Sequence, residues 1–219
     1  ARDYVVAACW EFIIPKVGGD VANIGALSFP KVIDVCLHKY LTACETFADF
    51  MEKVKAEINA ECDRICGNIR DLWFVPSPLM NLMMTGGIYE GGKYNNFGIH
   101  GTGIATAADS LAAIRKYIYD EKRFTKAELI EAVDSDFSWH SELLPLLRYE
   151  APKLGNNEDL PDSLAVGLLH TFSESLKGRK NCRGGVYRAG TGSAMFYLWH
   201  ANEIGASPDG RRKGEPFGT

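Results

Sequence analysis

The sequence predicts a single α/β region over residues 1–219, and three features predict it. Short β-prone runs stand near both ends ("DYVVAACW", "GGVYRAG", "SAMFYLWHA"). Amphipathic stretches with helix-start signals lie between them. No low-complexity linker or internal repeat divides the chain, so alternating strands and helices share one core.

The elements follow in chain order. Residues 3–8 favour a strand that runs to a Cys-Trp-Glu tip, and "KVGGD" reads as a turn. A helix is expected from "SFPKVIDVCLHKYL", with Ser28 as cap, Pro30 in the first turn, and Val32, Val35, Cys36 and Tyr40 on one side. Thr46 and Asp49 have capping-box spacing for a longer helix. Its apolar stripe of Phe47, Phe50, Met51, Val54, Ile58, Cys62, Ile65 and Ile69 predicts core packing. "VPSPLMNLMMTGG" reads as a Pro-bounded short helix. A glycine-rich loop then feeds a helix from about Ala107, and Thr125 and Glu128 box the start of the next. "ELLPLLRY" is a short apolar segment, "KLGNNEDLPD" a polar loop, and "SLAVGLLHTFSESLKG" a helix. "GGVYRAG" and "SAMFYLWHA" read as strands, and "SPDGRRKGEP" as a turn-rich loop.

Composition excludes several classes. The chain is 46% hydrophobic and 24% charged with a net charge of -4, an ordinary balance with no electrostatic call for nucleic acid or anionic lipid. Nothing approaches the roughly 18–20 consecutive apolar residues of a membrane span. No basic-then-apolar leader is visible, so a cytoplasmic location is expected. The six cysteines (9, 36, 44, 62, 66, 182) are then expected as reduced thiols. The five histidines (38, 100, 140, 170, 200) show no metal-ligand spacing, so no metal site is expected. The abrupt apolar opening and the ending at "GEPFGT" read as a piece of something longer.

Two loops invite a ligand reading. "GTGIATAAD" offers Gly101 and Gly103 but has Thr106 where a dinucleotide fingerprint needs glycine or alanine, and "KYNNFGIH" before it does not read as a buried parallel strand. A tight loop is the expectation. Arg211 or Arg212 could contact a phosphate or carboxylate, but the surrounding residues predict a solvated turn.

The chemistry-bearing stretch is "VAACWEFIIP". In an extended segment Cys9 and Glu11 project to one face, with Cα atoms ~7 Å apart. A nearby carboxylate and apolar burial both keep a thiol protonated. That suits hydrogen-atom exchange at sulfur rather than thiolate attack, and the same surroundings move Glu11 toward a useful acid–base range. From these residues alone, a small buried Cys9 with an ion-paired Glu11 is the plainer alternative.

The segments "ACWE", "LSFPKVIDVCLH", "YNNFGIHGTGIATAADSLAAIRKYI", "APKLGNNED", "NCRGGVYRAG" and "GASPDGRRKGEP" together resemble the second half of a glycyl radical enzyme of the pyruvate formate-lyase-like superfamily. The resemblance implies part of a ten-stranded α/β barrel with a catalytic cysteine on a loop inside it. It implies Cys9 as the thiyl that takes a substrate hydrogen and Glu11 as the acid or base that assists C–O, C–N or C–S cleavage. No cofactor is bound directly; a glycyl radical is implied outside this chain, installed by a radical S-adenosylmethionine iron–sulfur activase. Partners implied are a small-molecule substrate, that activating enzyme, a glycyl radical domain carried elsewhere, and a homodimeric full-length form in an anaerobic bacterium. Ala8 rather than a second cysteine argues against formate-lyase activity. Phe12 replaces the proline common after the glutamate, and Asn23 falls where many members carry a carboxylate. With Trp10 and Phe12 as pocket walls, this leaves room for an arylacetate-type decarboxylase. The radical motif Arg-Val-x-Gly-Tyr is absent from these residues. A half-barrel module that needs a partner to supply the radical is the non-catalytic alternative.

Overall fold

A computed structural model of the protein describes residues 5–6, 12–13, 21–69, 96–192 and 195–218, with side chains from residue 24 onward. The predicted turn at "KVGGD" and the helix at "VPSPLMNLMMTGG" lie outside the described residues. β1 (Val5–Val6) and β2 (Phe12–Ile13) pair antiparallel, Val5 opposite Ile13 and Val6 opposite Phe12. β3 (Val21–Ser28), β4 (Asn96–Thr102) and β5 (Tyr187–Thr191) form a parallel sheet in the order β3-β4-β5. The strand at β5 was expected; those at β3 and β4 were not.

The sequence-based reading of "KYNNFGIH" fails here. Residues 96–102 are the central parallel strand, with Phe97, Gly98, Ile99, Gly101 and Thr102 buried. Asn, Gly and His have weak strand propensity, so the local signal is poor. What holds the strand is tertiary packing. A Cβ on Gly101 would stand 2.5 Å from Phe29 Cε2 and 3.4 Å from Phe172 Cε1, so glycine lets two helices approach the sheet. In β3, where the register shifts between Asn23 and Gly25, a Cβ on Gly25 would meet Ile65 Cγ2 at 3.0 Å.

The helices cover one face of this sheet. α1 (Phe29–Tyr40) starts at Ser28, whose hydroxyl accepts from Lys31 N, and it buries Val32, Ile33, Cys36 and Leu37. Val35 and Tyr40 sit at the edge of that face. α2 (Phe47–Asn68) begins with the expected reciprocal box of Thr46 and Asp49. It buries Phe50, Val54, Ile58, Cys62 and Ile65, with Ile69 just beyond its end. α3 (Ile104–Ile114) starts three residues before the expected Ala107 and runs into a π-helical turn, Arg115–Asp120. α4 (Lys126–Asp134) carries the second predicted box, Thr125 with Glu128. α5 (Leu143–Pro145) continues as a π-helical turn, Leu146–Glu150, burying Leu143, Leu146 and Leu147. α6 (Asp159–Leu176) lies against α2 and α3. Each crossover between parallel strands passes through helices, the connection such strands require.

Within "SAMFYLWHA" the described residues from Phe196 onward are helical instead of extended: α7 (Phe196–Trp199) leads into a 3-10 turn, His200–Glu203. The run of apolar and aromatic residues reads locally as a strand. The deciding contacts are local, with the Phe196 ring 5.5 Å from Trp199 and 5.2 Å from His200. No described helix is long and apolar enough to cross a membrane.

Candidate active site

The C-terminal ends of parallel strands and the turns that follow them are where α/β folds place their chemistry. In this sheet that edge comprises Ser28, Thr102 and Thr191 with the turns beyond them. Thr102 Oγ1 donates to the Leu27 carbonyl at 3.3 Å, and a carbonyl only accepts. The Thr102 contact with His200 Nδ1 at 3.0 Å is therefore donated by the imidazole. Burial holds the His200 pKa below its ordinary value, in keeping with a neutral ring in this bond. The 3-10 turn is thereby pinned over the ends of β3 and β4.

The loop 205–218 closes the same edge, and it overturns the expectation of a solvated turn at Arg211. Arg211 is 5% exposed. Its Nη1 donates to the Arg212 carbonyl at 3.0 Å and the Glu215 carbonyl at 2.7 Å. Its Nη2 donates to the Gly205 carbonyl, and its Nε to Ser207 Oγ at 3.2 Å. The guanidinium lies 5.0 Å from the Phe217 ring centroid. Phe217 and Pro30 in turn close over Gly103, whose φ of +69° suits glycine; a Cβ there would stand 2.6 Å from Pro30 Cγ. Gly218 N donates to Thr106 Oγ1 at 2.8 Å. The first turn of α3 is thus occupied by the protein's own groups, as the tight-loop reading of "GTGIATAAD" expected. Arg212 is exposed.

Beside that loop lies an open cleft of about 440 Å³ lined by Asp109, Arg148, Lys153, Asp209 and Glu215, among others. Arg148 ties it together, donating through Nε to the Gly210 carbonyl at 2.8 Å and pairing with Glu215. Asp109 Oδ1 accepts from Leu154 N at 2.7 Å, while Lys153 Nζ stands 3.9 Å from its other oxygen. Burial outweighs both partners and pushes the Asp109 carboxyl up to about 6; it also lowers Lys153. The folded state then holds this proton more tightly than the unfolded chain, so stability falls as pH rises from about 4 to about 6 and levels off above. The contribution is at most about 2–3 kcal/mol. Asp109→Asn keeps the acceptor for Leu154 and is expected to flatten this slope in thermal melts between pH 4.5 and 7.5. An unchanged slope would assign the pH dependence to other groups.

Cys9, Trp10 and Glu11 lie outside the described residues, in the segment that links β1 to β2. Phe12 is described in backbone only, paired with Val6. Asn23 stands in β3 beside Gly98 of β4, and its side chain is outside the described set. Among the described residues no cluster of three or more His, Cys, Asp or Glu could hold a metal ion. Cys36, Cys44 and Cys62 are buried free thiols, with burial pushing Cys36 up to about 12 and Cys62 to about 11. They are packing residues.

A family model described as pyruvate formate lyase-like matches residues 1–200. The chain belongs to the pyruvate formate lyase-like family. It is similar to the trans-4-hydroxy-L-proline dehydratase of Clostridioides difficile, 30% identical over an alignment of 174 positions, gaps included, that covers 76% of this chain and 21% of that protein. It is also similar to the (2S)-3-sulfopropanediol dehydratase of Klebsiella oxytoca, 28% identical over an alignment of 245 positions, gaps included, that covers 99% of this chain and 30% of that protein. Among solved structures, the glycerol-bound B12-independent glycerol dehydratase from Clostridium butyricum superposes with a TM-score of 0.83 at 25% identity, covering 99% of this chain and 31% of that one. The chain therefore spans between about a fifth and a third of the length of these relatives. Its mixed α/β fold is part of a pyruvate formate lyase-like barrel, as the sequence motifs implied.

Within that family fold the described sheet adds groups that sequence reading passed over. His100 in "GIHG" and His200 in "LWHA" were noted only as scattered histidines without ligand spacing. Strand register and the 3-10 turn bring both to the described sheet. Spacing along the chain carries no signal for a contact 98 residues apart, such as Thr102 with His200.

Proposed function

We propose that this chain is the cysteine-bearing part of a glycyl radical dehydratase or lyase acting on a small hydroxylated molecule. The observation that carries the reading is the Cys9-x-Glu11 pair, which lies within the residues matched to the family and follows Ala8 rather than a second cysteine. The activities for which the relatives are named, loss of water from a hydroxyproline, a sulfonated diol and glycerol, support the reaction class.

A radical on a glycine outside these residues supplies the one-electron oxidising equivalent, installed by a radical S-adenosylmethionine activase. Cys9, its thiol hydrogen given up to that glycine, takes as a thiyl a hydrogen atom from the carbon bearing a hydroxyl. Glu11 accepts the proton of that hydroxyl as the neighbouring C–O bond breaks, and the leaving hydroxyl departs as water once that proton reaches it. The S–H bond then returns its hydrogen atom to the product radical, so the net change is loss of one water. Trp10, Phe12 and Asn23 are assigned to the pocket wall. The residues form one region of the C-terminal half of the barrel, in a cytoplasmic, homodimeric enzyme of an anaerobic bacterium.

The test is product analysis on the anaerobically activated full-length enzyme offered glycerol, propane-1,2-diol, trans-4-hydroxy-L-proline, (2S)-3-sulfopropanediol and phenylacetate. Dehydration of at least one hydroxylated compound is expected. Release of carbon dioxide from phenylacetate with no dehydration would replace this reading by the decarboxylase.

A further inference from the structure

We propose that the cavity between the π-helical turn 115–120 and the start of α4 binds a small organic anion with an apolar body, a medium-chain or aryl carboxylate. The proposal stands independently of the dehydratase reading.

The cavity has a volume of about 620 Å³, within the roughly 300–1,000 Å³ of sites that hold small molecules. Helix ends build it. Thr42 follows the end of α1, and Ile118 comes from the π-helical turn. The chain then reverses through Lys122, at φ +51°, and enters α4. Cross-ties fix these pieces together. Arg123 N donates to the Tyr117 carbonyl at 2.8 Å, while the Tyr119 hydroxyl and Lys126 Nζ both donate to the Cys44 carbonyl. The walls divide by chemistry. Ile118, Phe124 and Ala127 form the apolar side, with Ile118 buried and the Phe124 ring centroid 5.7 Å from that of Tyr117. Lys122, Arg123 and Lys126 supply the charge.

The cations carry the inference. Among the described residues none of the three forms an ion pair; Arg115 with Asp120 and Arg148 with Glu215 are the pairs on neighbouring segments. Glu128 also lines the cavity, but its carboxylate is committed. Its Oε2 accepts from Thr125 N at 2.6 Å and from Thr125 Oγ1 at 2.8 Å. Three positive charges against one negative is a local reversal of sign in a protein of net charge -4. Like charges around a hollow repel one another, and an anion seated among them removes that repulsion. Two of the heads are held in place by aromatic rings. The Arg123 guanidinium lies 5.9 Å from the Tyr117 ring centroid, and the Lys126 ammonium 5.4 Å from that of Tyr119. The cleft beside loop 205–218 is the contrast, because its cations face its own carboxylates: Arg148 pairs with Glu215, and Lys153 stands 3.9 Å from Asp109. In the larger cavity an inorganic anion would answer the charge and leave the apolar wall wet. A neutral hydrocarbon would do the reverse. A carboxylate on an apolar body meets both.

The test is equilibrium dialysis of the full-length enzyme, without radical activation, against octanoate, octan-1-ol and acetate. Octanoate and octanol differ in the head group, octanoate and acetate in the length of the apolar body. Octanoate is expected to bind at least about tenfold more tightly than acetate, the effect of burying two methylenes. It should bind about tenfold more tightly than octanol, a preference that shrinks with added salt. Two variants place the binding. Lys122→Gln combined with Arg123→Gln should weaken octanoate about 3- to 10-fold, the range for two exposed charge pairs. Ala127→Trp adds bulk at an exposed position of the cavity wall. It should weaken octanoate at least about tenfold by filling the space. Melting temperatures within about 2 °C of wild type show that the variants fold. The three-probe comparison on the wild-type enzyme tests the proposal without any variant. No binding of octanoate, equal binding of acetate or octanol, or unchanged affinity in either folded variant would each overturn it. None of these outcomes bears on the dehydratase reading, whose test needs the radical.

Discussion

Arg211→Met is expected to cost about 3–5 kcal/mol of stability, which lowers the melting temperature by roughly 10 °C for a protein of this size. The side chain is buried, and it donates four hydrogen bonds, to three backbone carbonyls and the Ser207 hydroxyl, while its guanidinium lies over Phe217. Methionine fills much of the volume but leaves the Gly205, Arg212 and Glu215 carbonyls without this donor. Arg211→Lys should rescue little, because one ammonium cannot reach acceptors arranged around a planar fork. The consequence for the site is direct. Loop 205–218 packs Phe217 on Gly103 and ties Gly218 to Thr106, so its loss loosens the turn between β4 and α3. Faster proteolysis within 205–218 should accompany the lower melting temperature. A melting temperature within about 2 °C of wild type would show that the loop is held by other contacts.

The helices were legible because their determinants are local. Thr46 with Asp49 and Thr125 with Glu128 are three residues apart, and both boxes form. The stripe from Phe47 to Ile69 repeats at helical spacing and packs on the core as expected, with Phe47 and Met51 only partly buried. β3 and β4 were hidden because glycine at 25 and 101 weakens strand propensity while enabling the close approach of helices. That gain appears only once Phe29, Ile65 and Phe172 are in place. Arg211 was misplaced for a related reason. Asp, Gly, Arg and Lys in a row look like a solvated turn, yet here one arginine collects carbonyls from its own loop and becomes its core. Phe196 to His200 shows the reverse error, in which an apolar, aromatic-rich run read as a strand and ring contacts four residues apart favoured a helix. The chemistry was legible in another way. Cys9 and Glu11 acquire meaning from the motifs around them, and the family match over residues 1–200 bears out the family those motifs implied. Their roles remain proposals.

The central claim is that Cys9 passes the hydrogen atom between substrate and radical, and Cys9→Ser in the activated full-length enzyme tests it most directly. An O–H bond is stronger than an S–H bond, so an oxygen radical at this position is not accessible from a glycine radical, and no other group in the Cys9-x-Glu11 pair can take its place. Substitution of the hydrogen-abstracting atom should cost at least about 10⁴-fold in turnover, more than the 10²–10⁴-fold typical of a lost acid–base group. The glycine radical signal in electron paramagnetic resonance should persist after activation, because the activase does not depend on this sulfur. The account predicts a full radical signal with no detectable product. A full radical signal with wild-type turnover would contradict it.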